Sequence, residues 1–283
     1  MNDSFFSNKV IIITGASEGI GFSVAKHLSS LNAQLILLSR NESKLKVSVS
    51  KLDNRRHKYF SVDVGEAQEV KNLFIKLQKK NTAIYGLINC AGIFGGIGRL
   101  DTVPPEVFFK AIKTNLLGTY NMCNFGLSLL KKSTHSKIIN FSGGGAASLF
   151  PNYTGYACSK IAVVKLTENI AEEYKNENID VNVIAPGFIK TNLANQTLKA
   201  GKSGAGNFYQ KTLDMLNCEG IPVEHTLNLV EFLLSERSNG ITGKFISAPW
   251  DDWDDLTFQQ KLRTDKDFCT LRRIDDKYFQ SKN

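Results

Sequence analysis

Short apolar runs alternate with longer amphipathic stretches along this chain of 283 residues. The apolar runs lack the regular polar positions of a half-exposed strand, and this pattern predicts strands that are buried on both faces. They cover residues 9–14, 34–39, 86–89, 137–141, 180–184 and 244–247. The amphipathic stretches predict helices over residues 20–31, 42–52, 65–80, 106–131, 153–175 and 223–235. Because strands and helices alternate at this spacing, the sequence predicts right-handed βαβ units and an α/β fold with a doubly wound parallel sheet.

Two segments interrupt this pattern. Residues 188–221 contain four glycines and have little periodicity, which predicts a long mobile loop of the kind that often covers a binding site. After residue 248 the chain becomes charged and too poor in apolar residues to form a second domain. We therefore expect a single domain over residues 1–248, with a substrate loop at about 188–221, and a C-terminal extension over residues 249–283.

The extension begins with both tryptophans of the chain, Trp250 and Trp253, flanked by aspartates. One interpretation is a pocket wall, because indole rings stack on sugars and carboxylates accept sugar hydroxyl groups. The other is an amphipathic strap that holds the extension by burying both indoles, each of about 150–250 Å². We favour the strap, since apolar side chains near a terminus usually serve to dock it.

Composition narrows the class of protein. With 42% hydrophobic and 22% charged residues, the chain is neither disordered nor a disulfide scaffold. The net charge of +8 favours anionic ligands, but the sequence lacks the paired aromatics of an RNA-binding strand, so no nucleic-acid partner is expected. Five scattered cysteines and four isolated histidines predict no disulfide and no metal site. No apolar run reaches the roughly 18 residues that a bilayer requires, so we expect a cytoplasmic protein without a membrane partner.

A glycine-rich turn joins the first predicted strand to the first predicted helix. Gly15 permits a tight turn, Gly19 lets the backbone approach a pyrophosphate, and Gly21 lets the helix pack close to the strand. The helix N-terminus then faces the anion. In this context the motif predicts a dinucleotide site in a Rossmann-like fold. The remaining members of the turn that we assign to this site are Ser17, Glu18 and Ile20.

The end of the second strand indicates which dinucleotide is preferred. An NAD site usually carries an acidic residue there to bind the ribose 2′-hydroxyl, but this chain has Ser39 and Arg40. A guanidinium group and a hydroxyl suit a 2′-phosphate. NADP(H) is therefore predicted as the preferred cofactor, with NAD(H) possible.

Tyr156 and Lys160 stand four residues apart near the start of a predicted helix, so their side chains share one face. A tyrosine has a pKa near 10 and is a weak acid or base at neutral pH unless a nearby cation stabilises the phenolate. Lys160 is placed to do so. The pair predicts a proton donor and acceptor for a carbonyl oxygen.

Together these motifs resemble the short-chain dehydrogenase/reductase family of the Tyr-x-x-x-Lys type, over roughly residues 7–248. The resemblance is carried by the glycine turn, by single residues after successive strands, and by the Tyr156/Lys160 pair. The matching positions outside the turn and that pair are Asp63, Asn89-Cys90-Ala91-Gly92, Asn115, Ser142 and Pro186-Gly187.

The resemblance implies a role for each of these positions. Tyr156 would be the general acid/base, with Lys160 lowering its pKa and holding the nicotinamide ribose, and Asn115 would anchor a water that relays protons to Lys160. Ser142 would bind the substrate carbonyl oxygen. The residues expected to border the cofactor are Asp63, Val64, Asn89, Ala91, Gly92, Pro186, Gly187, Ile189 and Thr191.

The serine position departs from the family pattern. The family usually has its serine thirteen residues before the tyrosine, where this chain has Gly143, and Ser142 lies one residue earlier. Either the glycine run carries an insertion that leaves Ser142 in this role, or a backbone N–H replaces the side chain. Ser142 is the favoured interpretation, because its hydroxyl would contribute roughly 2 to 4 kcal/mol of transition-state stabilisation.

The sequence therefore predicts an NAD(P)(H)-dependent oxidoreductase that interconverts a carbonyl and a secondary alcohol. A sugar or nucleotide sugar is slightly favoured as substrate, and a 3-oxoacyl thioester and a steroid-like or aliphatic ketone stay open. The resemblance also implies a homodimer or homotetramer through the long fourth helix and the helix that carries Tyr156. The alternative is a catalytically silent NADP-binding subunit with a regulatory or assembly role.

Overall fold

The computed structural model describes residues 5–53, 56–218 and 220–274. Within these ranges, seven parallel strands form one sheet in the order β3-β2-β1-β4-β5-β6-β7. The strands are β1 (Val10–Thr14), β2 (Gln34–Ser39), β3 (Lys58–Ser61), β4 (Gly86–Asn89), β5 (Ser136–Phe141), β6 (Ile179–Ala185) and β7 (Phe245–Ser247). The predicted α/β fold, a Rossmann-like doubly wound parallel sheet, is confirmed.

Ten α-helices connect and cover the strands in the described ranges. They are α1 (Gly19–Ser30), α2 (Glu42–Val49), α3 (Ala67–Lys79), α4 (Pro105–Ala111), α5 (Gly118–Leu130), α6 (Thr154–Glu173), α7 (Asn192–Ala205), α8 (Asn207–Asn217), α9 (Val223–Leu234) and α10 (Leu256–Thr264). A π-helical turn, Ile112–Leu117, joins α4 to α5. Alternate residues of β1 show how the core is divided. Ile11 and Ile13 pack under α1 and α9, whereas Ile12 packs under α3 and α5.

Three elements differ from the sequence-based expectation. The apolar pattern did not predict strand β3, because its residues are exposed and half-buried, although the family resemblance implies a strand before Asp63. The predicted helix over 106–131 is interrupted by the π-helical turn. The expected loop over 188–221 holds two helices, which are broken where Gly201 and Gly206 adopt positive φ values of 66° and 57°. Glycine is the residue that takes this conformation without strain, and it ends each helical run.

The chain after β7 packs back onto the face of the sheet that α1 and α9 cover. Helix α10 begins at Asp255, whose carboxylate accepts a hydrogen bond from the Phe258 N–H at 2.9 Å. Leu262 of this helix is 1% exposed. Trp253 lies 5.6 Å from the Phe232 ring and donates a hydrogen bond to the Ala248 carbonyl, whereas Trp250 is 76% exposed. The expectation that both indoles are buried is therefore wrong for Trp250.

The outer edge of β7 is closed by this same segment. The two outward N–H groups of the strand both have partners in the chain that follows it. Phe245 N–H donates to the Cys269 carbonyl at 2.7 Å, and Ser247 N–H donates to the Asp251 carboxylate at 2.7 Å. Residues 275–283 of the predicted extension lie outside the described residues.

Candidate active site

The carboxyl ends of β1 and β4 form a crevice, because the chain crosses from one side of the sheet to the other between these two strands. The glycine-rich turn lies at this point. A Cβ atom at Gly15 would lie 2.9 Å from the Ala91 Cα, and a Cβ at Gly21 would lie 2.4 Å from the Gly15 carbonyl oxygen. Side chains at either position would break the turn, so the backbone here is shaped as a dinucleotide cradle requires.

Two contacts hold the turn to neighbouring elements. The Thr14 hydroxyl accepts hydrogen bonds from the N–H groups of Cys90 and Ala91 at 3.0 and 3.1 Å. The Ser48 hydroxyl of α2 donates to the Ser17 carbonyl at 2.9 Å. Glu18 and Gly19 are exposed at the start of α1, and Ile20 beside them is half-buried.

The end of β2 presents a polar cluster beside this turn. Arg40 is exposed, and the Ser39 hydroxyl accepts a hydrogen bond from the Asn41 N–H at 3.3 Å. Lys44, in the first turn of α2, forms a 2.7 Å ion pair with Glu18. Sequence reasoning missed Lys44. The available signal was its spacing of four residues from Arg40. Because Asn41 caps α2 between the two residues, Arg40 precedes the helix and the two do not belong to one element.

The residues after β3 and those at the end of β4, all expected to border the cofactor, lie in two different environments. The Asp63 carboxylate accepts a hydrogen bond from the Gly65 N–H at 2.9 Å, and the buried Val64 packs against Gly118. The Asn89 amide is buried inside the sheet, where it donates to the Asn140 side chain at 2.9 Å. Asn89 therefore ties β4 to β5 and does not reach into the crevice.

Tyr156 and Lys160 lie on one face of α6, at the carboxyl end of β5. Both are buried, with exposures of 8% and 4%. The Lys160 ammonium donates a hydrogen bond to the Phe141 carbonyl at 2.8 Å and lies 5.6 Å from the centre of the Tyr156 ring. A Cβ at Gly92 would lie 3.3 Å from Lys160 Nζ, so the segment after β4 reaches the same point. The structure thus brings the predicted proton-transfer pair to the crevice.

Asn115 lies beside this pair in the π-helical turn and is fully buried. Its side chain makes three hydrogen bonds. It accepts from the Ile93 N–H at 2.8 Å and donates to the Ile93 carbonyl at 2.9 Å and the Ser159 hydroxyl at 2.8 Å. These bonds fix the segment after β4 against α6.

Burial shifts the pKa values of both groups of the pair. Loss of solvent raises the pKa of the Tyr156 phenol well above its usual range, and the neighbouring Cys90 thiol acts in the same direction. Burial lowers the pKa of the Lys160 ammonium to about 8. Burial of the phenol thus acts against the lowering of its pKa that is expected from Lys160.

The Ser142 hydroxyl is bonded within the chain, where it donates to the Lys160 carbonyl at 3.3 Å. Position 143 faces the phenol, since a Cβ atom on Gly143 would lie 2.2 Å from Tyr156 Oη. In the part of the chain that the structure describes, the Ser142 hydroxyl makes no hydrogen bond to Tyr156.

The segment after β6 closes the crevice from the other side. Gly187 has a φ of 77°, and a Cβ there would collide with Ile221 and Pro249. A Cβ at Gly19 would lie 3.5 Å from the Thr191 methyl group, so Thr191 lies over the glycine turn. Of the remaining residues predicted here, Pro186 is buried and Ile189 is half-buried.

Aromatic rings surround Tyr156. Phe94 packs edge-on against it at 5.0 Å and Phe150 lies at 6.2 Å. Phe208 of α8 packs on Phe150 at 4.7 Å. Sequence reasoning missed these rings, because they come from three segments that are far apart in the chain.

A second hydrogen-bond pair fastens α7 to the loop that precedes α6. The Tyr153 hydroxyl donates to the Thr197 hydroxyl at 2.9 Å, and the Asn152 amide donates to the Gly204 carbonyl at 2.8 Å. Helices α7 and α8 thus cover the aromatic rings around Tyr156. Among the described residues, no helix is long and apolar enough to span a bilayer.

A family model for short chain dehydrogenases matches residues 9–202 of the chain. Among curated proteins, a 3-oxoacyl-(acyl-carrier-protein) reductase FabG from Chlamydia muridarum is 30% identical over 250 residues, which cover 87% of this chain and 98% of that protein. A dehydrogenase/reductase SDR family member 4 from Sus scrofa is 30% identical over 241 residues, covering 84% and 85%. A 3beta-hydroxysteroid dehydrogenase from Mediterraneibacter gnavus is 29% identical over 194 residues, covering 68% and 70%.

Solved structures share the fold at lower identity. A short chain dehydrogenase from Escherichia coli CFT073, complexed with NADPH, matches with a TM-score of 0.76 at 24% identity, over 88% of this chain and 100% of that chain. A short-chain type dehydrogenase/reductase from Mycobacterium ulcerans matches with a TM-score of 0.74 at 24% identity, over 86% and 88% of the two chains.

Proposed function

Because the chain belongs to the short-chain dehydrogenase family, we propose that it is an NADPH-preferring enzyme that interconverts a carbonyl group and a secondary alcohol. The observation that carries this proposal is the position of Tyr156 and Lys160 beside the segment after β4, which also packs against the glycine turn. A dinucleotide and a proton-transfer pair would therefore share one site.

The residues around the crevice fit a nicotinamide cofactor. Gly15, Gly19 and Gly21 would hold the pyrophosphate at the start of α1, and Arg40 would bind a 2′-phosphate. When bound, the nicotinamide ring supplies or accepts the hydride. The solved short chain dehydrogenase from Escherichia coli that is complexed with NADPH adds modest support for the phosphorylated cofactor.

Tyr156 supplies the proton. A phenol is protonated at neutral pH and burial keeps it so, which lets it donate to a substrate oxygen that gains negative charge. The Lys160 ammonium lies one helical turn away and stabilises the phenolate that remains. This assignment makes carbonyl reduction the direction in which the structure is prepared, with Tyr156 as general acid.

The side chains around Tyr156 favour an apolar substrate. Phe94, Phe150 and Phe208 form the nearest wall, and the Tyr153 hydroxyl beside them is already bonded to Thr197. Such a wall suits a hydrocarbon chain or ring better than a sugar with many hydroxyl groups. A 3-oxoacyl thioester fits this chemistry, and the 30% identical relative is named for reducing one. The nucleotide sugar favoured on sequence grounds becomes the second choice.

We further propose that two copies of the chain associate through α4, α5 and α6. These elements pack against one another through the π-helical turn. Together with that turn they expose four large apolar side chains, and apolar patches on a surface are typical of protein–protein contacts. Those side chains are Phe109, Leu117, Tyr120 and Ile161.

The deciding experiment is a cofactor titration followed by turnover with acetoacetyl-CoA, a cyclic ketone and a keto sugar nucleotide. We expect NADPH oxidation with the first, and a loss of about 10²- to 10⁴-fold in kcat for Tyr156→Phe with little change in NADPH affinity. Undiminished turnover by Tyr156→Phe would remove the mechanism. Tight NADPH binding without turnover of any compound would favour the silent regulatory subunit instead.

A further inference from the structure

The glycine run at the carboxyl end of β5, Gly143-Gly144-Gly145, contains one residue that bears directly on Tyr156. We propose that Gly143 is a positioning residue for the Tyr156 hydroxyl. Because position 143 carries no side chain, the phenol reaches the strand end and occupies the space that a side chain would fill. Its catalytic consequence rests on the proposed function, whereas the contact itself does not.

The contact is too short for any side chain at position 143. A Cβ atom there would lie 2.2 Å from Tyr156 Oη, 3.1 Å from Cζ and 3.4 Å from Cε1. A Cβ atom practically never approaches another heavy atom within 3.0 Å. To restore an ordinary contact, the hydroxyl would have to move by about 1.3 Å, since non-bonded atoms of this kind meet at about 3.5 Å.

The phenol cannot move away freely. Tyr156 is 8% exposed and lies between the rings of Phe94 and Phe150, at 5.0 and 6.2 Å. Its backbone is fixed in the first turn of α6, where a Cβ at Gly155 would meet the Phe108 ring at 3.2 Å. A displaced hydroxyl would therefore press the ring against a packed aromatic wall, and packed interiors do not yield without cost.

The three glycines of the run have different surroundings, and of the three only Gly143 lies next to the Tyr156 hydroxyl. Gly145 has a φ of 88°, and a Cβ there would lie 2.8 Å from both Ala157 and Phe150, so its role is in the turn itself. Gly144 has room, because the nearest atom to a Cβ there is Phe150 Cε1 at 3.9 Å. Neither Gly143 nor Gly144 has a positive φ, so alanine fits the backbone at both.

Lys160 is anchored to the same turn. Its ammonium donates to the carbonyl of Phe141, and the Ser142 hydroxyl donates to the carbonyl of Lys160. Residues 141–143 thus contact both members of the proton-transfer pair. A side chain at position 143 would move Tyr156 relative to Lys160, while the ammonium stayed in place.

The first test compares Gly143→Ala with the control Gly144→Ala. We expect Gly143→Ala to lose about 10²-fold in kcat, because a displacement of about 1 Å at the reacting group costs roughly that much. NADPH affinity and KM should stay close to those of the parent. Parental kcat in Gly143→Ala, or an equal loss in Gly144→Ala, would overturn the proposal.

The second test needs no catalysis, so it separates this inference from the proposed function. Urea unfolding is measured for the parent, Gly143→Ala, Tyr156→Phe and the double variant. We expect Gly143→Ala to lower the unfolding midpoint clearly in the parent and much less in the Tyr156→Phe background, where the nearest remaining atom is Cζ at 3.1 Å. An equal shift in both backgrounds would show that the hydroxyl does not occupy this space.

Discussion

Lys160 is a buried cation, with 4% of its surface exposed, and its burial has a thermodynamic consequence. Its pKa is lowered from 10.5 to about 8 in the folded chain. Between these two values the unfolded chain holds a proton on this lysine and the folded chain does not. Stability that is linked to such a group rises with pH, because the unfolded state binds more protons.

A Lys160→Met variant should reveal this contribution. From pH 7 to pH 10, we expect the free energy of unfolding of the parent to rise relative to that of the variant by about 2 kcal/mol. The measurement is urea unfolding across this range, taken as the difference between the two proteins so that other titrating groups cancel. A difference that does not change with pH would mean that the ammonium is solvated.

Arg40 is the residue that we propose for contact with a 2′-phosphate, and the neighbouring Lys44 is paired with Glu18 at 2.7 Å. For Arg40→Ala we expect NADPH affinity to fall several-fold or more, because a guanidinium–phosphate contact is charge-assisted. NADH affinity should hardly change. Fluorescence titration with both nucleotides measures this, and Lys46→Ala, at an exposed position on the neighbouring helix α2, is the control. Equal losses for NADPH and NADH would refute a phosphate contact.

Single residues were predictable where spacing alone places them. Tyr156 and Lys160 are one helical turn apart, so helix geometry brings them to one face whatever surrounds them. Ser142 and Gly143 adjoin each other after a strand, and which of them faces the phenol depends on how the chain leaves β5. That direction is a tertiary property, and only the structure shows that position 143 faces Tyr156.

At the scale of elements, the central strands were predictable because they are apolar on both faces. Strand β3 lies at the sheet edge with an exposed and half-buried pattern, so it carries no such signal. Helices α7 and α8 contain several polar residues and glycines, and only their contacts with the loop before α6 show why they form. The Tyr153–Thr197 and Asn152–Gly204 hydrogen bonds are among those contacts.

Helix α10 offers a matched test of how the C-terminal segment is attached. Leu262 packs on the face of the sheet that α1 and α9 cover and is 1% exposed, whereas Leu256 of the same helix is 78% exposed. We expect Leu262→Ala to lower the free energy of unfolding by about 2 to 4 kcal/mol, because it leaves a cavity. Leu256→Ala should change it by less than about 0.5 kcal/mol. Similar effects of the two substitutions on urea unfolding would show that α10 does not dock.

At the scale of the whole molecule, the apolar side chains of α4, α5 and α6 make association testable. We expect the parent to sediment as a dimer or a larger even assembly, and Phe109→Glu combined with Ile161→Glu to sediment as a monomer. Burying two carboxylates in an interface is strongly unfavourable. Ile75→Glu, at a 41% exposed position on α3, is the control and should leave the assembly intact. A parent that sediments as a monomer would remove this proposal.

The closed edge of β7 limits how the sheet can grow. Both of its outward N–H groups are bonded within the chain, so a foreign strand finds no donors there. We therefore expect strand addition at this edge to require that the segment after β7 first undocks from it.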